Sequence, residues 1–367
     1  MFTPLDQRYM ARALELAKKE LISPHPNPRV GCVLVSDGQI IGEGWHARAG
    51  ESHAEAMALE AARGQNLRGA TVYVTLEPCN HHGRTPPCAD ALIEAGVGRV
   101  IAAMEDPNPL VAGQGMERLR AQGIQVQTGL MGDQAEMLNR GFIKRMTGGR
   151  PWVRVKSAMS LDGRTALASG DSKWISSPAA RRDVQRLRAS SDAILTGIGT
   201  VLADDPSLTL REAELGIEPT RQPLRVVLDS RGRLSRKARL LQQDGRVLHV
   251  TAGASPVAGS HIEGLVLQAE GLDEERAIDL QRVMDALGQR NINEVQVEAG
   301  SVLTGALLSA GLVDEWIIYM APCLLGADAK GMAQLESITS MNERLALRIQ
   351  DVRAIGPDWR LTVVPQD

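Results

Sequence analysis

The stretch EPCNHHGRTPPC, residues 77–88, carries two of the four cysteines and two of the seven histidines. Upstream, HAEAMALE places His53 and Glu55 two residues apart. Thiolates and imidazoles suit zinc, and a catalytic zinc keeps three protein ligands and one open position. Cys79 and Cys88 are the softest donors of this set. His53 is the natural third, because Glu55 beside it supplies a base near the open position. Zinc lowers the pKa of its water; the carboxylate takes the proton and hands it to a leaving amine. Two plainer readings stand beside this one. Cys79 and Cys88 are alternatively core thiols, with His53 a capped helix residue. Or the zinc is structural and four-coordinate, with His81 or His82 as the fourth ligand, which leaves Glu55 without a task. Otherwise His81 and His82 are loop residues facing solvent or substrate.

These side chains need elements to hold them. HAEAMALEAA reads as a helix that begins at His53. ATVYVTLEP is a strand that delivers Cys79, and Pro86-Pro87 introduces a helix whose first residue is near Cys88. The positive end of that helix favours a thiolate. Around this core the chain alternates. The N-terminal MFTPLDQRYMARALELAKKE is an amphipathic helix with Tyr9, Met10, Ala13, Leu14 and Ala17 on one face. GCVLVSDGQIIGEGW is a hairpin turning at Asp37-Gly38, and CADALIEAG is a helix closed by Gly96. RVIAAMED, MERLRAQG and IQVQTGL follow as strand, helix and strand. Cys32 lies within an apolar strand and reads as core.

MTGGRP, residues 146–151, is the linker candidate. A second α/β pattern runs from WVRVKSAMS through DAILTGIGTVLAD, PLRVVLDS, GRVLHVT and EVQVEAG to EWIIYMAP and WRLTVVP. Residues 211–223 and 251–260 read as surface loops. In VEAGSVLTGALLSAG, 297–311, Gly300 would turn the chain tightly from strand into helix. The N–H groups at that helix start favour phosphate. This is not the G-x-G-x-x-G fingerprint, and by itself it reads equally as a packing junction.

Composition narrows the classes. The 367 residues favour two domains over one large one. Residues 1–150 hold 16 basic and 16 acidic side chains and the rest 25 and 28, so neither half is basic. With 3% aromatics, stacking platforms for unpaired bases are few, and nucleic acid is a poor partner. No apolar run approaches a membrane span, and the N-terminus lacks the apolar core and cleavage site of a signal peptide. The cytosol is the expected compartment, with cysteines as ligands or core rather than disulfides.

The order H-x-E, then P-C…C, is the signature of zinc-dependent deaminases. Nucleic-acid-editing and cytidine deaminases show P-C-x-x-C, whereas here eight residues separate the cysteines. HAE at 53–55 with TLEPCNHHGRTPPC at 75–88 resembles the bifunctional riboflavin biosynthesis deaminase–reductase family. HPNPRVGCVLV, 25–35, and EDPNPLVAGQG, 105–115, share the likeness. So do VKSAMSLDGRTA, 155–166, SGDSKWISSP, 169–178, and TVLADDPSLTLR, 200–211, so it spans nearly the whole chain.

The resemblance implies a cytidine-deaminase-like three-layer α/β/α domain over 1–147 and a dihydrofolate-reductase-like α/β domain over 148–367. It implies Zn2+ on His53, Cys79 and Cys88, Glu55 as proton shuttle, and Asn27 on the pyrimidine, with His46 either lining the pocket or structural. It implies NADPH against Ala158, Trp174, Thr200, Asp204, Ser230 and the loop Gly300, Ser301, Val302, Leu303, Thr304, Gly305 and Ala306. Ser172, Arg188, Leu208, Arg211 and Glu298 would contact substrate, and Lys156 would bind phosphate or carry a proton. The expected protein deaminates a phosphorylated diaminopyrimidinone ribosylamine, then reduces its ribosyl group. It takes a small-molecule substrate, without nucleic acid or membrane, as a homo-oligomer. The rivals are a nucleic-acid or nucleoside zinc deaminase with an appended binding domain, and a non-enzymatic zinc-stabilised interaction module.

Overall fold

The computed structural model describes residues 1–20, 22, 24–80, 87–109, 111–269 and 277–366. The chain forms two units, Met1–Gly149 and Arg150–Asp367.

The first unit opens with α1 (Pro4–Ala17), started by a capping box in which Thr3 and Asp6 satisfy each other's backbone N–H groups. Its expected apolar face, Tyr9 through Ala17, is buried. β1 (Gly31–Ser36) and β2 (Gln39–Trp45) pair antiparallel, and Asp37 and Gly38 take left-handed φ of 50° and 73°, as a tight hairpin turn requires. There follow α2 (Ala54–Ala61), β3 (Thr71–Val74), α3 (Cys88–Glu94), β4 (Arg99–Ala102), α4 (Gln114–Ala121), β5 (Gln125–Thr128) and α5 (Gly132–Gly148). The sheet order is β2-β1-β3-β4-β5, with β3, β4 and β5 parallel.

Alternation along β1 divides the core. Cys32 and Leu34 pack with α2, α3 and α4, while Val33 and Val35 pack with α1 and α5. This is a three-layer α/β/α sandwich, and Cys32 is core. α5 runs on through Thr147 and Gly148 and ends only at Gly149, whose φ of 73° makes the C-cap. The paired glycines of MTGGRP close this helix, and the boundary between the two units falls directly after them.

The second unit contains β6 (Trp152–Ser160), β7 (Arg164–Ala166), α6 (Pro178–Ser190), β8 (Ala193–Gly197), α7 (Ile198–Asp204), α8 (Glu212–Leu215) and β9 (Leu224–Leu228). It continues with β10 (Val247–Thr251), β11 (Ile262–Val266), α9 (Leu280–Gln289), β12 (Glu294–Val297) and α10 (Ser301–Ser309). It ends with β13 (Glu315–Ala321), β14 (Lys330–Gly331), β15 (Leu347–Ile355) and β16 (Asp358–Pro365). The large sheet runs β11-β10-β9-β8-β12-β6-β13-β16-β15. Its first seven strands are parallel, and β16 and β15 add an antiparallel edge. α9 and α10 pack on one face and α6 and α7 on the other. The stretch 211–223, expected as loop, contains the single turn α8.

β12 returns late in the chain to lie between β8 and β6, and the helices that leave β8 and β12 go to opposite faces. That opens a crevice at the carboxyl ends of these two strands, where open α/β sheets bind ligands.

Candidate functional site

In the first unit two helix starts and one strand end converge. His53 is the N-cap of α2 and offers no side-chain cap, which leaves its ring free for other work. Cys88 is the first residue of α3, behind Pro87. Cys79 follows β3. The sheet brings α2 close through Gly44, where a Cβ would lie 2.1 Å from the Ala54 carbonyl oxygen.

His53 Nδ1 lies 3.3 Å from Cys88 Sγ and 3.6 Å from Cys79 Sγ. The three donor atoms lie within 4.8 Å of one another, the one such cluster among the described residues. A tetrahedral zinc at its usual bond lengths needs donors about 3.5–3.8 Å apart. The two nitrogen-to-sulfur separations lie near that spacing, and the S,S,N donor chemistry suits the ion. The Cys88 backbone N–H donates to Cys79 Sγ at 3.3 Å, and the Cys88 thiol hydrogen bond draws the Cys79 thiol down while Cys88 itself is pushed up. A thiolate is thus already favoured at Cys79.

Glu55 sits in the first turn of α2, buried, and burial raises its carboxyl to about 7. Asn27 joins the same site through His46. Asn27 Nδ2 donates to His46 Nε2 at 3.0 Å, and His46 Nδ1 faces the Ser52 carbonyl at 3.1 Å. Those two contacts select the neutral tautomer with its proton on Nδ1, and burial lowers the ring's pKa accordingly. The His46 ring meets that of His53 edge-on at 5.3 Å. His46 is therefore a buried bridge between Asn27 and His53. His81 and His82 lie outside the described residues.

In the second unit a cleft of about 1560 Å³ occupies the crevice. Ala158, Trp174, Thr200, Asp204, Ser230, Gly300, Ser301, Val302, Leu303 and Ala306 line it, as do Lys156, Ser172, Arg188, Leu208, Arg211 and Glu298. Thr304 and Gly305 do not. Thr304 is fully buried, and a Cβ at Gly305 would meet the Gln334 carbonyl oxygen at 2.0 Å, so this turn of α10 faces protein. Gly300 also differs from expectation. Its φ of −77° is open to any residue. A Cβ there would meet nothing within 4 Å, so what its lack of a side chain leaves is room. The start of α10 has no side-chain cap, which suits a phosphate-bearing nucleotide. Trp174 is 71% exposed, with the Arg181 guanidinium 4.5 Å from its ring centre. Leu208 is held at a φ of 52°, a strained position for a bulky residue and one often found at ligand sites.

At the cleft floor Arg188 forks onto Glu298 at 2.6 and 2.8 Å and donates to the Thr209 carbonyl at 3.0 Å. Gln296 Nε2 donates to Glu298 Oε1 at 2.8 Å. Burial works against the Glu298 anion, but Arg188, Lys156 and Gln296 outweigh it and hold the carboxyl at about 2. Glu298 thus stays charged and cannot donate a proton near neutrality. Lys156 differs: burial lowers its pKa, Glu298 opposes that and Arg188 adds to it. Of the two, Lys156 is the group suited to proton transfer. Arg211 is turned onto Glu214 at 2.6 Å.

Residues 3–104 match the family described as cytidine and deoxycytidylate deaminase zinc-binding region, and residues 151–361 the RibD C-terminal domain. Riboflavin biosynthesis protein RibD of Escherichia coli (strain K12) is 51% identical, over 98% of this chain and 99% of its own. The chain belongs to the RibD family. Among solved structures, Acinetobacter baumannii RibD, form 1, superposes with a TM-score of 0.91 at 45% identity, covering 99% of both chains. A Thermotoga maritima structure described as a diaminohydroxyphosphoribosylaminopyrimidine deaminase/5-amino-6-(5-phosphoribosylamino)uracil reductase gives 0.88 at 36%, again covering 99% of both.

Within this RibD-family chain, sequence reasoning missed Gln296. A signal existed: Glu294 and Gln296 alternate along β12 with apolar residues between them, and Glu298 continues the alternation one residue beyond its end, so Gln296 and Glu298 point the same way. His46 was left open by its sequence context, and only its two hydrogen bonds and its ring contact with His53 give it a place.

Proposed function

We propose that this protein carries out two consecutive steps of riboflavin synthesis on one phosphorylated pyrimidine. The first hydrolyses the 2-amino group of 2,5-diamino-6-(5-phosphoribosylamino)pyrimidin-4(3H)-one. The second reduces the ribosyl group to give 5-amino-6-(5-phosphoribitylamino)uracil. The observation that carries this reading is the pairing, on one chain, of an S,S,N donor triangle beside buried Glu55 with a separate nucleotide-sized cleft. The full-length likeness to RibD proteins supports it over a nucleic-acid or nucleoside deaminase with an appended binding domain. Residues 1–147 are assigned the first step and residues 148–367 the second.

His53, Cys79 and Cys88 would hold zinc, whose Lewis acidity makes water nucleophilic near pH 7. Water enters and ammonia leaves. Glu55 takes a proton from the incoming water and delivers it to the departing amine nitrogen. Asn27, fixed by His46, holds the pyrimidine edge.

In the second unit NADPH, when bound, would supply the hydride for C1 of the ribosyl group. The ring oxygen leaves C1 as the C4′ hydroxyl and takes a proton, which we assign to Lys156. Glu298, held anionic by Arg188, accepts from sugar hydroxyls and orients C1 toward the cofactor. The nucleotide would be held by Ala158, Trp174, Thr200, Asp204, Ser230, Gly300, Ser301, Val302, Leu303 and Ala306, which line the cleft, and Ser172, Leu208 and Arg211 would complete the substrate side.

We read the protein as cytoplasmic, with no nucleic-acid or membrane partner. The balanced charge supports this, and no described helix is long and apolar enough to cross a membrane. A homo-oligomer is our reading of the edge strand β15, where Ile349 and Val352 are exposed.

The test is one incubation of purified protein with the diaminopyrimidinone ribosylamine phosphate, with and without NADPH. Without NADPH the substrate should gain about 1 Da as NH is exchanged for O; with it, about 2 Da more as hydride and proton add. An unchanged substrate, or reduction without ammonia release, would overturn the assignment.

A further inference from the structure

The segment EDPNPLVAGQG and the glutamate of the EPC run have no part in the chemistry above, yet they are joined. Glu77 is buried, and its carboxylate accepts four backbone N–H groups. Oε2 takes those of Asp106 at 3.0 Å and Gly113 at 2.9 Å; Oε1 takes those of Gly115 at 2.8 Å and Met116 at 3.4 Å. Gly113 is the N-cap of α4 and has no side chain to cap it. Glu77 supplies that cap from the segment that follows β3, with its charge at the favourable end of the helix. One residue, Pro78, separates Glu77 from Cys79, and a proline is a stiff link. Gly115 packs against that link so closely that a Cβ would lie 2.0 Å from the Pro78 carbonyl oxygen. On its other side Cys79 is held by the start of α3, through Cys88 N–H to its sulfur and Ala89 N–H to its carbonyl at 3.1 Å.

We infer that Glu77, seated on the N–H groups of Asp106, Gly113, Gly115 and Met116, is a positioning residue for the cation site: it fixes the Cys79 limb so that its sulfur meets His53 and Cys88 at ligand spacing. The inference rests on the zinc reading above. Only an ionised carboxylate offers acceptors alone to four donors. In Glu77→Gln one oxygen becomes an NH2 group set against N–H groups, and that half of the anchor is lost. Gly115→Ala attacks the same limb from the partner side, by displacing the Pro78–Cys79 backbone. Supporting groups of this kind are worth about 10–100-fold in metal affinity.

The test uses the full chain loaded with zinc. A chelator competition measures its dissociation constant, and the sulfur-to-metal charge-transfer band of the cobalt-substituted protein reports the thiolate geometry. Leu119→Ala is the control: Leu119 is fully buried in the same helix but lies outside the anchor. Glu77→Gln and Gly115→Ala should weaken zinc binding about 10–100-fold and alter the cobalt band, while Leu119→Ala lowers the melting temperature yet binds zinc as the wild type does. If all three variants bind zinc alike, Glu77 is merely structural and the inference is overturned. If Glu77→Gln does not fold, Gly115→Ala decides by the same readouts. A wild-type protein that binds no zinc would instead overturn the metal reading itself.

Discussion

Replacing Arg188 by Met tests the account of the reductive cleft most sharply. Arg188 and Glu298 are 9% and 13% exposed at their side chains, and two short bonds join them. Removing the guanidinium leaves a buried carboxylate with Gln296 and Lys156 as its remaining support. Loss of one partner from a buried pair costs roughly 3–5 kcal/mol. The depression of Glu298 from 4.5 to about 2, to which Lys156 and Gln296 contribute beside Arg188, corresponds to about 3.5 kcal/mol at about 1.4 kcal/mol per pKa unit. The sign follows from the depressed folded-state value. The pair's stabilisation is full above the unfolded carboxyl pKa near 4.3 and is lost as pH falls toward about 2. Arg188→Met should therefore cost about 3–5 kcal/mol at pH 7, and the deficit should shrink between about pH 4 and 2. Tryptophan fluorescence during urea unfolding is the assay, because four of the five tryptophans (Trp152, Trp174, Trp316 and Trp359) lie in the second unit. The double variant Arg188→Met/Glu298→Gln, which removes both charges, should recover most of the loss. A cost below about 1 kcal/mol, the range of a surface pair, would refute the reasoning, as would a double variant no better than the single.

Other expectations follow from the same geometry. Stripping zinc with a chelator should abolish ammonia release while NADPH oxidation on the deaminated substrate continues; loss of both rates together would contradict separate sites. Lys156→Met should lower kcat for reduction by about 10²–10⁴-fold and leave ammonia release unchanged, whereas a change confined to KM would remove Lys156 from proton transfer. Gly305→Ala, whose new Cβ would fall 2.0 Å from the Gln334 carbonyl oxygen, should lower the melting temperature of the second unit by several degrees; an unchanged melting curve would show that α10 and the 334 segment separate at little cost.

The donor triangle was legible because local signals fix each of its limbs. A helix begins at His53, a strand ends before Cys79 and Pro87 introduces Cys88, so the sequence already offers two helix starts and a loop that can converge on one cation. Alternation did the same for the two faces of β1. What stayed hidden depends on distant pairing. The insertion of β12 between β8 and β6 creates the crevice, yet nothing local to EVQVEAG states its neighbours. Gly300 was read as a turn requirement, and only the fold shows ordinary φ and open space around it. Thr304 and Gly305 belong to a run that reads as a ligand loop, but helical geometry rotates them away from the cleft. The Glu77 anchor spans up to 39 residues of sequence, and burial with several backbone partners is a tertiary fact.

In the proposed mechanism Glu55, buried beside His53, Cys79 and Cys88, serves the first of two separable reactions. Glu55→Gln measures it directly, with zinc content, ammonia release and NADPH oxidation followed on one preparation. The account predicts stoichiometric zinc, ammonia release reduced by about 10²–10⁴-fold, and wild-type reduction of the deaminated substrate. Ammonia release at the wild-type rate, with zinc still bound, would contradict it.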